Sequence, residues 1–296
     1  MLDGIRGVAS LLATLGIVAV VAGYFGDAHP AFDTLGAGRL HAAIAFAALL
    51  LFSTAFAALT ARLLAFTGLV AAGAGIVPSY LPGDPVVEVD LSVYSHNLRF
   101  NNSDLDGLLA QIETVEADVL LLQEVSRENA KALRRLERGR WRLEICPFAA
   151  VGGVALMTQG AEEIGCEPGQ GLAWARIPVG GEEVTVATLH LPWPWPHGQA
   201  PQAERIAELL GDLPEPLVIA GDFNAAPWSH TVDLIAEATG TRITPGLRLS
   251  FQPPDLWPGL PIDHVLVSED LVAATEMLGR AGSDHAGLIT DLRFRR

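Results

Sequence analysis

The chain has 296 residues, half of them hydrophobic, and a formal net charge of −15, with 34 acidic residues against 19 Lys and Arg. That length suits one large domain plus additional segments. The charge argues against a protein built around a basic face for gripping duplex nucleic acid, and two cysteines without ligand spacing exclude a cysteine-based metal module.

The apolar excess lies before Asp84. Gly7 to Tyr24, Leu40 to Ala61 and Leu63 to Gly83 contain no Asp, Glu, Lys or Arg. Each run approaches or exceeds the ~18–20 apolar residues that cross a ~30 Å hydrocarbon core. A buried helical hairpin is the alternative, but three adjacent runs of this length are rare in soluble cores. The pattern predicts about three transmembrane helices within a membrane anchor, residues 1–81, and a linker at 82–86 marked by Pro82, Gly83 and Pro85. Arg6 before the first run and Arg62 between the second and third place the N-terminus inside, while Arg39 votes the other way. The first run also fits a cleaved signal peptide with Arg6 as its basic start. On either reading the remainder is extracytoplasmic, attached to the cell (plasma) membrane. Up to residue 81 there are three acidic and three basic residues, so the entire net charge falls on the rest.

Beyond the linker, residues 87–296 read as one domain. Val86 to Ser95 is apolar and β-branched, a strand. Ser103 and Asp106 come close to a capping box. After them Leu105, Leu108, Leu109, Ile112 and Val115 recur at helical spacing. Val119 to Leu122 is a short apolar strand, and Arg127 to Leu136 a second helix. Strands are then expected at Trp141–Ile145, Gly153–Thr158, Leu172–Pro178, Val184–Leu191, Leu217–Ala220, Ile262–Val267 and Gly287–Phe294. Helices are expected at Ala203–Leu210 and Thr231–Ala238. Many strands with a few helices between them predict an α+β sandwich of two sheets flanked by helices. Cys146 and Cys166 are either a disulfide of an exported domain or two separate buried thiols; the sequence leaves both open.

Polar side chains recur where apolar strands end: Asn97, Glu124, His190, Asp222 with Asn224, Asp263 at a strand start, and Asp284-His285 before the last strand. Each alone could be a capped turn. Together they supply hard oxygen ligands, a general base and phosphate-contacting donors, as metal-assisted phosphoester hydrolysis requires. His264 and His96 adjoin such residues, but neighbours on a strand point to opposite faces, so both read as structural.

Five stretches, Ser95-His96-Asn97-Leu98-Arg99, Leu122-Gln123-Glu124-Val125, Gly221-Asp222-Phe223-Asn224, Ile262-Asp263-His264 and Gly282-Ser283-Asp284-His285, resemble the ordered motifs of the endonuclease/exonuclease/phosphatase (DNase I-like) family. The resemblance covers roughly Val86 to Arg296. It implies a four-layer sandwich of two central β-sheets flanked by helices. It also implies divalent-metal-dependent hydrolysis of phosphoester bonds, with Mg²⁺ as cofactor and Mn²⁺ as an alternative. By the same resemblance Glu124 is the principal metal ligand, Asn97 lies beside the metal, and Asp284 completes its shell. His285, paired with Asp263, contacts the scissile phosphate. Asp222 orients or deprotonates the attacking water, Asn224 donates to a phosphate oxygen, and His190 donates to the phosphate or leaving group.

The substrate class stays open between nucleic acid, phospholipid and small phosphodiester, with tethering and acidity favouring the last two; no protein partner is evident. The run Leu191-Pro192-Trp193-Pro194-Trp195-Pro196-His197 is either a stiff wall facing substrate or lipid, or a loop packed on the domain. A catalytically degenerate membrane-bound binding or scaffold protein is the competing reading. The intact Glu124, Asp222, Asn224, Asp263 and His285 set opposes it.

Overall fold

The architecture is that of a computed structural model, which describes residues 2–55, 59–81, 83, 85–138 and 141–295. The apolar N-terminal part forms α1 (Leu2–Ala22), α2 (Pro30–Ala37), α3 (Arg39–Ala55) and α4 (Leu59–Ala74). Of the three expected spans, one helix among the described residues has both the length and the apolarity to cross a membrane, Gly4–Ala22 with mean hydropathy 2.1. α2 and α3 would make a second only as one span bent by 55°. The 16 residues of α4 reach about 24 Å at ~1.5 Å per residue. Linker residues 82 and 84 lie outside the described residues.

α4 packs against both α1 and α3. Their contact is made largely of small residues: Ala13, Ala61, Ala65, Gly68 and Ala72 are buried, joined by Val20 and by Phe46, whose ring lies against both Gly16 and Gly68. Many of the large apolar side chains point outward instead, among them Leu11, Leu12, Leu15, Val18, Leu51, Leu63, Phe66 and Val70. This is the reverse of a water-soluble helical bundle, which buries its large residues.

The remaining chain runs β1 (Leu91–Asn97), α5 (Leu105–Thr114), β2 (Val119–Val125), α6 (Arg127–Leu133), β3 (Arg142–Ala149), β4 (Gly152–Thr158), β5 (Glu163–Glu167), β6 (Leu172–Val179), β7 (Glu182–His190), α7 (Gln199–Gly211), β8 (Leu217–Asp222), α8 (His230–Thr239), β9 (Thr241–Ile243), β10 (Asp263–Ser268), β11 (Leu271–Met277) and β12 (Leu288–Phe294). One mixed sheet has the order β11-β12-β1-β2-β4-β3, the other β5-β6-β7-β8-β10-β9. The expected sandwich is therefore present. β5, β9 and β11 are not among the expected strands; they are short or half-exposed, with weak alternation. The first helix of this domain starts one residue later than the capping-box reading, with Asp104 as its cap, accepting from the Gly107 amide.

Strand alternation builds the layers. Val93, Val119, Leu121, Val186, Val218, Ala220, Val265 and Val267 fill the space between the sheets. Their neighbours take the outer faces: Tyr94, Leu120 and Leu122 pack with Leu108, Ile112 and Leu133 of α5 and α6. Leu217, Ile219 and Leu266 pack with Ile206, Leu210 and Ile235 of α7 and α8.

Cys146 on β3 and Cys166 on β5 form a disulfide joining edge strands of the two sheets, with Cα atoms 5.4 Å apart. Closing a loop of 20 residues removes unfolded-state freedom worth about 3 kcal/mol. The double variant Cys146→Ser/Cys166→Ser should therefore lower Tm of the detergent-solubilised chain by roughly 6–12 °C. An unchanged melting curve would mean the bond does not form.

Candidate active site

The same alternation that builds the core builds the site. In β1, Leu91 and Val93 face the second sheet, so Asn97, four residues beyond Val93, faces it too. In β8 the inward set Val218 and Ala220 continues to Asp222, in β7 Val184 and Val186 continue to His190, and in β10 Val265 and Val267 begin from Asp263. β1 and β2 are parallel, as are β7 and β8, whereas β12 and β10 run antiparallel to them. Strand ends and strand starts thus meet at one open edge of the sandwich, where the apolar core gives way to polar side chains.

Across the sheets, Asn97 Nδ2 donates to Asp222 Oδ2 at 2.9 Å and to Glu124 Oε1 at 3.3 Å. Glu124 would face the wrong way in a regular strand. Its backbone has φ of 51° and the β2–β4 pairing breaks between Leu122 and Val125, which turns the carboxylate into the cleft. Its Oε2 accepts the Phe100 amide at 2.8 Å. Asp222 also caps its own turn, accepting the Asn224 amide at 2.8 Å, and Asn224 is likewise held at a positive φ of 46°. A Cβ at Gly221 would collide with the Leu189 carbonyl oxygen, so only glycine permits this approach. Strained non-glycine backbone concentrated at one cleft is a mark of a functional site.

His285 Nδ1 lies 2.8 Å from Asp263 Oδ2, and its Nε2 lies 3.8 Å from Asp222 Oδ2. Burial would push this imidazole down, but Asp263 and Asp222 outweigh it and bring its pKa up to about 9. Burial would raise Asp263 in turn, yet the imidazolium beside it holds its pKa below the ordinary value. Asp222 goes the other way, up to about 7, because burial outweighs the attraction of His285. Burial also raises Glu124. His190, buried and near the His285 charge, falls to about 4 and is neutral at neutral pH; its Nε2 is 3.6 Å from Asp222 Oδ2 and its ring packs edge-on against Phe148.

All eight sequence-derived candidates, Asn97, Glu124, His190, Asp222, Asn224, Asp263, Asp284 and His285, come together at this edge. Six of them line one cleft of about 560 Å³, with Asn97 and Asp263 immediately behind through their hydrogen bonds to Asp222 and His285. Asn224 Nδ2 donates to the Leu191 carbonyl at 2.8 Å and lies 3.4 Å from Asp222 Oδ2. His264 and His96 are structural, as read: His264 bonds the Ala225 carbonyl, and His96 bridges Tyr94 to the His285 carbonyl. Arg99, Phe100, Phe148, Trp193, His197 and Phe251 also line the cleft. Arg99 carries no role in the sequence reading, and its place in the first motif is the one signal that points to it. Phe251, 4.8 Å from the His285 ring, lies in a loop without pattern.

A small, hard divalent cation fits this donor set. Glu124 has no ion-pair partner among the described residues, and it shares the cleft with Asp222 and Asp284. Carboxylate and amide oxygens are Mg²⁺ ligands. Asp222, Asp263 and His285 also bring ligand atoms within 4.8 Å of one another. We favour the Glu124 side for the cation, because His285 and Asp263 already share a proton and a protonated imidazole has no lone pair to give.

Comparisons with known proteins bear on the fold and the family. Solved structures that resemble the chain include D. rerio TDP2 complexed with single strand DNA product (16% identity, TM-score 0.57, 69% of this chain and 98% of that one). The human Nocturnin catalytic domain is similar at 17% identity and TM-score 0.54, over 69% and 94% of the two chains. A mutant of the Staphylococcus aureus beta toxin with bound magnesium ions is similar at 16% and 0.53, over 68% and 99%. At such identities these likenesses speak for the fold. No curated protein matches the sequence. A family model matches residues 94–285, which hold every candidate site residue, and by that match the chain belongs to the Endonuclease/Exonuclease/phosphatase family.

Proposed function

We propose that the protein is a divalent-metal-dependent phosphoester hydrolase, with residues 1–81 as membrane anchor, 82–86 as linker and 87–296 as an extracytoplasmic catalytic domain. The observation that carries the chemistry is the meeting of a cation-seeking carboxylate, Glu124, with the buried His285–Asp263 pair in one cleft. Glu124, Asn97 and Asp284 would hold Mg²⁺, which supplies positive charge to the phosphate when bound. His285, kept protonated by Asp263, presents its Nε2 proton to a non-bridging oxygen as negative charge builds there. Asp222, with its raised pKa, takes the proton of the attacking water. Asn97 and Asn224 hold Asp222 in place. Neutral His190 keeps one N–H for the phosphate or leaving group.

The helical part supports anchoring. Helices that bury alanine and glycine while presenting Leu, Phe and Val would expose a large apolar patch in water, yet they suit lipid. The disulfide is in keeping with an oxidising compartment. Trp195 and Trp257 are exposed on loops that touch the α2–α3 region: Thr34 donates to the Trp195 carbonyl, and His41 bonds the Pro258 carbonyl at 3.0 Å. Tryptophan favours the membrane–water boundary. The acidic domain gains no long-range attraction to polyanions. Both features favour a phospholipid headgroup or small phosphodiester over duplex DNA as substrate.

In the full chain in detergent, Glu124→Ala should abolish Mg²⁺-dependent cleavage of bis-p-nitrophenyl phosphate; full activity would remove the metal assignment. His285→Ala should lower turnover by roughly 10²–10⁴-fold, and a mild loss would exclude it from the chemistry. The alkaline limb of kcat/KM should follow loss of the His285 proton near pH 9, the value to which its pKa is raised. Asp263→Asn removes the charge that favours imidazolium, so the limb should move to lower pH; an unmoved limb argues against a protonated His285. A reporter active only outside the cytoplasm, fused at the C-terminus, should be active, and silence would reverse the topology.

A further inference from the structure

The loop side of the helical part is bonded into the catalytic domain. Asp33 of α2 is buried, and its carboxylate takes three hydrogen bonds from the start of α8. The His230 amide donates to Oδ1 at 2.8 Å, the Thr231 amide to Oδ2 at 3.1 Å, and the Thr231 hydroxyl to Oδ2 at 2.8 Å. Nearby, Trp228 Nε1 donates to the Gly36 carbonyl at 2.7 Å. Even Gly26 takes part: a Cβ there would stand 2.8 Å from Asp33 Oδ1 and 3.1 Å from His230 Cβ.

The contact does not stop at the helix. The Thr231 hydroxyl, whose one proton goes to Asp33, also stands 3.4 Å from Oε1 of buried Gln199. The Gln199 amide is oriented by three backbone carbonyls that its Nε2 faces, Pro192 at 3.0 Å, Phe223 at 3.1 Å and Asn224 at 2.8 Å. Two of these belong to the turn that carries Asp222 and Asn224; the third opens the wall that continues to Trp193. A buried amide whose two protons are shared among three carbonyls, with its oxygen against the Thr231 hydroxyl, is a brace, since an unmade bond would leave a buried polar group unsatisfied.

We infer that the segment joining α1 to α3 is part of the active-site scaffold, and that Asp33 is a positioning residue for the Asp222–Asn224 turn, acting through Thr231 and Gln199. Asp33 reaches no reacting atom; it sets the place of groups that do. The kinetic part of this inference rests on the hydrolase reading above, whereas its structural part does not.

The test uses the full chain in detergent with Asp33→Ala, Thr231→Val and Thr231→Ser. Thr231→Val keeps the Asp33 bonds to both backbone amides and removes only the hydroxyl. With bis-p-nitrophenyl phosphate and Mg²⁺, Asp33→Ala and Thr231→Val should each lower kcat about 10-fold with KM within twofold, as expected for a loss of ~1.4 kcal/mol in the transition state. Thr231→Ser should restore the wild-type value, and the double variant should lose no more than the worse single one. Hydrogen–deuterium exchange of the peptides covering residues 190–199 and 222–229 should rise in Asp33→Ala and Thr231→Val and return to normal in Thr231→Ser. Should Asp33→Ala fail to fold, the two Thr231 variants decide alone. Wild-type kcat and unchanged exchange in Thr231→Val would overturn the inference. If the wild-type chain cleaves no diester, the hydrolase reading fails, and exchange still judges the brace by itself.

Discussion

Carboxylates held side by side in a buried cleft repel one another, and this constraint governs the edge where the two sheets open. Glu124, Asp222, Asp263 and Asp284 crowd together in a domain that is already strongly acidic. One imidazolium, His285, neutralises part of that charge through Asp263. Burial is the main cause that raises Asp222 and Glu124, and the neighbouring carboxylates Asp263 and Asp284 add to it. An arrangement so far from balance is held by the surrounding fold: backbone amides, the Asn97 amide and two residues at positive φ keep the oxygens in place. A bound divalent cation would relieve that repulsion and offset the charge of an incoming phosphate, and so the same constraint would link stability, metal affinity and catalysis.

The meeting of the candidate residues at one edge of the two-sheet fold is legible in the sequence. Strand parity explains why. Val218, Ala220 and Asp222 alternate in plain sight, as do Val184, Val186 and His190, so the polar residue that ends each series must share a face with the core. The same rule separates Asp263 from His264 correctly. Parity fails at Glu124, where a bulge and a left-handed residue reverse the side chain; there the motif, not the alternation, carries the reading. β5, β9 and β11 escape the pattern because edge strands face water on one side and relax their alternation. Phe251, Phe148 and the Gln199 brace join residues distant in sequence, and nothing local signals them.

The helical segment shows the opposite balance. Its hydropathy is evident in the sequence, but its helix ends are not: Gly38 divides α2 from α3, and α4 stops at Ala74, short of the apolar run that encodes it. Nor does composition hint that Asp33, one of few charges there, turns away from water to meet the amides of α8. A carboxylate placed at a helix start gains from the free N–H groups and the local dipole, and this makes an otherwise costly buried charge acceptable.

The Phe46 ring, set against Gly16 and Gly68 at once, has a consequence for the whole molecule. It indexes the helices like a key in two slots, fixing their angular phase as well as their spacing. Each residue turns a helix by about 100°, so one residue gained or lost in α1 after Gly16 would swing the following loop to another side of the bundle. The direction in which the cleft faces, relative to the helices, is thus encoded in part by the rotational setting of a single aromatic ring far from any chemistry.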